Sequence, residues 1–358
     1  MFRSSLMALI ITTSLLNAQD YKWPIRASRS LSATFCEYRS GHLHAGVDIK
    51  TWGEMEVPCL AIADGYIEKI VIGYNGYGRG LFLRLNDGNI AVYGHLELFS
   101  PGMETLIRET QIDEDRYSLR LEFAPDEFPV RQGQVIGYSG TSGTEHPHLH
   151  FEIRDSLGQI INPKHFYSGI KDTKAPVVDQ ILLLPRTPES RIDGSALSVV
   201  SDLELDQKPI SITGSFSLAI NAHDRADGTY NKYNFYEAQA FINDSLVFNQ
   251  RFDQIPNRLS DEVDQIYPGV RGRRGWRFMS MYSDEDSLRV SSAPDSLHGI
   301  ITPSGTSNLK VLVKDYSGNQ TIKSLELRRQ SPASWKIEQD QENMIISRNY
   351  ADEGYDRI

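Results

Sequence analysis

This sequence predicts an all-β, mainly antiparallel domain with a small helical insertion, followed by a β-sandwich. Three observations support that reading. The stretch His148-Leu149-His150-Phe151-Glu152-Ile153-Arg154 alternates strictly, with Leu149, Phe151 and Ile153 on one side and His148, His150 and Glu152 on the other. That is the period-two signature of a half-buried strand. Short apolar runs between residues 57 and 96 are separated by Asp64-Gly65, Asn75-Gly76 and Asp87-Gly88, dipeptides that favour tight turns between antiparallel strands. Beyond Pro176 a second series of strand-like runs begins, and a length of 358 residues suits two domains better than one.

Composition bounds the partners. The chain is 40% hydrophobic and 23% charged, ordinary for a globular protein. A net charge of −10 and a pI near 5.4 argue against DNA or RNA, because phosphate binding needs a basic surface that releases counterions. Arg3, an apolar stretch over 6–16 and Ala18 before Gln19-Asp20 read as an export signal, residues 1–18, with cleavage expected after Ala18. That run is too short to span a bilayer and no other approaches roughly 18 residues, so no membrane span is expected in the mature chain. The absence of a cysteine just after the expected cut argues against a lipid anchor there. Cys36 and Cys59 lie on apparent strands; they can close a bridge in an exported protein, and two buried free thiols are equally ordinary.

Taken in order, residues 21–36 read as irregular and then extended, leading into His42-Leu43-His44-Ala45-Gly46-Val47-Asp48-Ile49. His44 and Asp48 bracket a glycine that would let the backbone bend so that both reach one divalent centre, although a surface turn could carry the same spacing. Strands are expected over 57–63, 66–72, 81–85 and 89–96. The glycine-rich stretch 73–80 is not a phosphate loop, since it lacks the Lys-Ser/Thr ending and no helical pattern follows. His95 ends the last of these strands, where a lone histidine is more often a surface residue than a catalyst. Residues 97–131 break the rhythm: Met103, Leu106, Ile107 and Ile112 form a helical stripe over 101–113, and a hairpin arm is expected around 117–123. Residues 131–138 resume the strands, a polar loop covers 139–145, and the alternating strand closes the unit. On it His148 and His150 share a face about 6.6 Å apart, at a rise of ~3.3 Å per residue. One can hold a metal while the other reaches water or substrate.

In order, His44-x-Gly46-x-Asp48, residues 58–65, Gly76-Tyr77-Gly78, Tyr93-Gly94-His95-Leu96, residues 133–137 and Pro147-His148-Leu149-His150-Phe151-Glu152 closely resemble the lysostaphin-type, or LytM-like, zinc metallopeptidases that cut peptide bridges in bacterial cell walls. The resemblance covers about residues 34–166. It implies one Zn2+ held by His44, Asp48 and His150, with His95 and His148 as the catalytic pair. One of the pair would take the proton of water and the other would stabilise the oxyanion or protonate the leaving amine. It further implies an exported hydrolase of peptidoglycan peptide cross-links in the periplasm or cell envelope. The competing class is a non-catalytic or partner-gated regulator of other wall hydrolases, since related folds that lost ligands serve that way. The filled ligand positions favour catalysis. His146 stands where the family usually has glycine, and His42 is a further imidazole outside the ligand pattern. The long insertion at 97–131 would wall the groove or block it.

The domain division expected is a peptidase unit over 19–168, a sandwich over 169–330 that resembles immunoglobulin-like modules, and a tail over 331–358. Strand-like runs fall at 177–184, 210–222, 233–242, 245–252, 308–314 and 321–327, and in the tail at 335–338 and 344–347. This half carries no catalytic constellation: His223 and His298 are isolated, and Arg271-Gly272-Arg273-Arg274 reads as a solvated loop. A protein partner would dock through this second domain.

Overall fold

The computed structural model describes residues 20–167, 172–202, 208–255, 263–272, 275–283 and 298–331, together with the strands Ser334–Asp340 and Asn343–Asn349. The expected export signal, Arg273 and Arg274 lie outside the described residues.

The first half is organised on a 10-stranded sheet. Its main path runs Leu31–Ala33, Val47–Lys50, His148–Arg154, Ile90–Gly94, Arg79–Leu85, Gly65–Ile72, Leu119–Glu122, and every neighbouring pair is antiparallel. The expected meander is its centre. Gly76 (φ 65°) and Gly88 (φ 92°) hold its two turns in the left-handed region, which glycine enters without steric cost. Asp64-Gly65 is not a third hairpin turn. The strand before it, Pro58–Leu60, leaves for a separate sheet with Val135–Ser139 and Leu96–Phe99. Gly65 instead answers a close approach, because a Cβ there would sit 2.0 Å from the Arg84 carbonyl oxygen.

The helical insertion is Pro101–Asp113, with proline in its first turn, where a missing N–H costs nothing. Met103 and Ile107 enter the core while Ile112 stays exposed. Arg79 Nη2 donates to both oxygens of Glu104 at 2.7 and 2.6 Å, pinning the helix to the sheet. The arm expected around 117–123 is a single strand, Leu119–Glu122, which pairs with Gly65–Ile72 rather than folding on itself.

The alternating strand departs from its expected half-exposure, for Leu149 to Ile153 are all buried. Its apolar face enters the core with Val47, Ile49, Tyr93 and Phe151's neighbour Tyr167. Its polar face is covered by other site residues, which periodicity within one strand cannot reveal.

In the second half a four-stranded sheet (Val199–Asp202, Val177–Pro185, Phe216–His223, Met279–Ser280) faces a six-stranded one (Arg191–Ile192, Ile210–Thr213, Gln320–Arg329, Thr306–Lys314, Glu237–Ile242, Ser245–Arg251). Ile181, Leu183, Leu218 and Ile220 from the first pack with Ala240, Val311, Val313 and Leu327 from the second in one buried cluster, a β-sandwich. Residues 210–222, expected as one strand, are two strands in different sheets. The break is at Gly214, whose φ of 74° turns the chain across the sandwich edge. The halves are not independent: Phe35, Cys36, Leu43 and Ile160 join the sandwich core, and Ile160–Ile161 pairs with Gln254–Ile255.

Both cysteines are free and buried. Cys36 sits in a turn at φ 61°, not on a strand, and burial pushes both thiols up, which leaves them unreactive. Among the described residues the two tail strands pair only with each other.

Candidate metal centre and active-site cleft

Pairing register builds the site. His150 lies opposite Asp48 on one side and Gly94 on the other, and His148 lies opposite Lys50. Three chain segments, each remote in sequence, therefore deliver His44, Asp48, His95, His148 and His150 to one cleft of about 740 Å³. Gly46 serves this packing in a way different from the expected bend. A Cβ there would meet the Phe151 carbonyl oxygen at 2.2 Å, so glycine lets the His44–Asp48 segment lie flat on the His150 strand. A Cβ on Gly94 would touch the His150 ring at 3.2 Å. His95 follows at φ 60°, a left-handed turn out of the strand that aims its ring at the cleft.

His44 Nε2, Asp48 Oδ1 and His150 Nδ1 form a triangle with sides of 3.0, 3.1 and 2.9 Å. Ligands at the 2.0–2.1 Å distances of a tetrahedral zinc site stand about 3.3 Å apart, so the donor set fits such an ion with small adjustments. The partners behind the donors fit as well. His44 donates Nδ1–H to the Thr34 carbonyl at 2.7 Å, and His150 donates Nε2–H to Glu152 Oε1 at 3.0 Å. Each ring thereby presents its lone pair to the triangle, the arrangement that second partners of metal-bound histidines enforce.

Electrostatics point the same way. Burial alone would lower His150, but Asp48 and Glu152 overcome it and push it up to about 9. Burial would raise Asp48, yet His44 and His150 hold it well below the usual carboxylate range. The cluster thus favours positive charge at its centre, whether a proton or a metal ion. Glu152 is fully buried and accepts from Tyr77 Oη at 2.7 Å and Arg154 Nε at 2.8 Å. Burial opposes its charge, while His150, Arg154 and Tyr77 bring it down to about 2. Arg39 Nη2 stands 3.3 Å from Asp48 Oδ2 and its Nη1 3.3 Å from Glu37 Oε2.

His95 and His148 stand outside the triangle, edge to face with ring centroids 4.8 Å apart. His95 donates Nδ1–H to the Ser142 carbonyl and His148 donates Nδ1–H to the His146 carbonyl, each at 2.8 Å. Both Nε2 atoms are then bare acceptors. Burial, reinforced by neighbouring imidazoles, lowers His95 to about 4. Burial also lowers His148, against the pull of Asp48, whose Oδ1 is 3.5 Å from His148 Nε2. Two neutral bases beside a metal-ready triangle can activate water.

All five residues singled out in the sequence come together. His42 and His146 line the cleft outside the triangle, and no residue of the insertion lines it, so the insertion leaves the groove open among the described residues. Glu152, Arg154, Tyr77 and Arg39 were missed as site residues. Glu152 and Arg154 continue the every-second-residue face of His148 and His150, a signal present in the sequence. Arg39 carries no such mark.

No protein-family model matches the chain. Curated proteins do: the lipoprotein NlpD/LppB homolog of Pseudomonas aeruginosa is 30% identical over 146 residues, 41% of this chain and 39% of its own length. The murein hydrolase activator NlpD of Escherichia coli is 27% identical over 41% of this chain and 31% of its own length. The DD-carboxypeptidase/endopeptidase Mpg of Neisseria meningitidis is 32% identical over 34% and 22%. Over these residues the chain is similar to proteins of the lysostaphin-type, LytM-like peptidase family. It spans only about a fifth to two fifths of the length of these curated relatives. Among solved structures, the catalytic domain of lysostaphin from Staphylococcus simulans aligns with 42% of this chain and 93% of its own at 23% identity, with a TM-score of 0.28. Among the described residues of the cleft the possible metal ligands are His44, Asp48 and His150. No helix among the described residues is long and apolar enough to cross a membrane.

Proposed function

We propose that this chain is an exported zinc metalloendopeptidase that hydrolyses peptide cross-links of peptidoglycan. The observation that carries the reading is the three-donor triangle facing two neutral imidazoles across one cleft. His44, Asp48 and His150 would hold one zinc ion per chain and leave a fourth position open, as hydrolytic zinc sites do. Bound there, zinc supplies a Lewis acid that polarises the scissile carbonyl and lowers the pKa of water. The remaining work falls to the chain. His148 takes the proton of the attacking water at Nε2, since the Asp48 carboxylate 3.5 Å away favours its charged form, and gives that proton to the leaving amine. His95, whose Nε2 is also bare, accepts the second O–H of the water and orients it. With Nδ1–H committed to Ser142, a neutral His95 has no donor left for an oxyanion.

We take residues 19–168 as the peptidase unit and 169–330 as the second, and the periplasm or cell envelope as the place of action. Similarity to a DD-carboxypeptidase/endopeptidase supports a stem-peptide bond between D-centres as the target. The test is digestion of defined cross-linked muropeptides, read by mass spectrometry alongside zinc content. Zinc-loaded protein should release the cross-linked peptides, while chelation or His148→Ala should stop release. Full activity after either change overturns the mechanism. Similarity to a murein hydrolase activator favours one other reading, a regulator, which predicts no product release and stimulation of a separate wall hydrolase.

A further inference from the structure

Outside the catalytic cleft the molecule has a second cavity, about 480 Å³, where the two halves meet. Arg29, Thr34 and Lys164 line it from the first half, and Asp172, Asp224 and Tyr316 from the second. One carboxylate oxygen from each of Asp172, Asp224 and Asp315 lies within 4.8 Å of the other two. Asp224 and Asp315 are each only 2% exposed.

Each of the three carboxylates has a hydrogen-bond partner, the backbone of Arg225 in the case of Asp224. Asp315 accepts from Asn319 N at 2.8 Å and Asn319 Nδ2 at 2.7 Å, and Asp172 Oδ1 accepts from Lys174 N at 3.1 Å. Asp224 Oδ1, by contrast, is fully buried and has no hydrogen-bond partner among the described residues. Such an oxygen demands an explanation, because an unpaired buried acceptor is costly and a buried charge more so. Lys164 brings one positive charge near three negative ones. Burial, with Asp315 and Asp172 adding to it, pushes Asp224 up to about 7.

We propose that Asp172, Asp224 and Asp315 bind a calcium ion that fastens the segment between the two halves onto the second β unit. An all-carboxylate donor set suits a hard cation rather than one that prefers nitrogen or sulfur. Three oxygens within 4.8 Å of one another can close onto a calcium shell of 2.3–2.6 Å, whose geometry is flexible, with small adjustments. Magnesium demands near-ideal octahedral geometry and sheds its waters reluctantly, so a set of three protein carboxylates suits calcium better.

The consequence reaches the catalytic cleft through the loop that Asp224 begins. In that loop Asn231 accepts from Lys50 Nζ at 2.6 Å and donates to the Ser32 carbonyl at 3.0 Å. Tyr233 Oη donates to the Leu31 carbonyl at 2.9 Å. Lys50 is the cross-strand partner of His148. On the other side Asn319 Nδ2 donates to the Asp172 carbonyl at 3.0 Å, tying the linker to the same turn. An ion at the three carboxylates would hold linker, loop and turn in one arrangement.

The test uses the full chain, zinc-loaded and stripped of calcium, with calcium chloride as the probe in isothermal titration and thermal unfolding. One calcium should bind with a Kd of about 10⁻⁴–10⁻³ M, the range of exported calcium modules. At ten times Kd the Tm of the full chain should rise by about 2 °C. Asp224→Asn and Asp315→Asn should each abolish both the heat and the shift. Because Asp224→Asn removes a buried charge, its Tm without calcium should be no lower than that of the natural chain. If Asp315→Asn fails to fold, the more exposed Asp172→Asn replaces it. No heat and no shift up to roughly 10 mM calcium, well above that range, overturns the proposal. So does a shift that survives in Asp224→Asn, and an equal response to magnesium overturns the choice of calcium.

Discussion

Glu152 offers the sharpest test of how the metal centre is held. It is fully buried, and its two oxygens serve three donor residues: Oε1 takes His150 Nε2–H and Tyr77 O–H, and Oε2 takes Arg154 Nε–H. Glu152→Gln preserves the shape and removes the charge. Whichever way the amide is turned, its NH2 must face a donor, Arg154 on one side or the His150–Tyr77 pair on the other. Either way the NH2 displaces two donors, His150 and Tyr77 from Oε1 or the Nε and Nη2 of Arg154 from Oε2, at about 1.5–3 kcal/mol for each charge-assisted bond. With the Arg154 side chain only 14% exposed, the loss can approach the ~3–5 kcal/mol of a broken buried ion pair. The effect on metal is separable. Removing the partner that fixes a ligand histidine costs 10- to 100-fold in affinity, or about 1.4–2.7 kcal/mol at ~1.36 kcal/mol per decade. Chelator competition would measure zinc affinity, and thermal unfolding of the metal-free protein would measure stability. Glu152→Ala leaves no side-chain oxygen for His150 Nε2–H in any orientation, and an Ala variant that binds zinc as tightly as the natural chain would refute the claim that Glu152 sets the tautomer of His150.

Other outcomes follow from the same geometry. Gly46→Ala places a Cβ 2.2 Å from the Phe151 carbonyl oxygen, and a clash with backbone should cost about 1–3 kcal/mol or more; an unchanged Tm would count against the close approach. His95→Ala and His148→Ala should each lower kcat about 10²- to 10⁴-fold at full zinc content, and loss of zinc instead would move the residue into the ligand set. In metal-free protein His95 at about 4 binds fewer protons folded than unfolded, so its contribution is present above about 6.5 and is lost as pH falls toward 4 and below. His150 at about 9 works the other way, its contribution being present below about 6.5 and lost as pH rises through 9. The Tm of the metal-free protein should therefore fall on both sides of this window, and His95→Gln should flatten the acid side; an unaltered acid limb would contradict the assignment.

Much of the fold was legible because it rests on local patterns. The helix Pro101–Asp113 follows from its apolar spacing and leading proline, and the meander from its glycine turns. Errors fell where a local signal had a non-local cause. Gly65 and Gly46 are glycines for the sake of a neighbouring strand, not of their own turn. Residues 210–222 read as one run because apolar residues continue on both sides of Gly214, although each side faces the core from a different sheet.

The sequence by itself determined the residue types of the site and their order, because alternation within a strand decides that His148, His150, Glu152 and Arg154 share a face. Which of them meet was decided only by the tertiary structure. Cross-strand register sets His150 between Asp48 and Gly94, and the carbonyls of Thr34, Ser142 and His146, which no motif marks, choose the tautomers. Strand periodicity is a property of neighbours in the chain. Register and hydrogen-bond partners are properties of neighbours in space, and they divide otherwise identical imidazoles into possible ligands and bases.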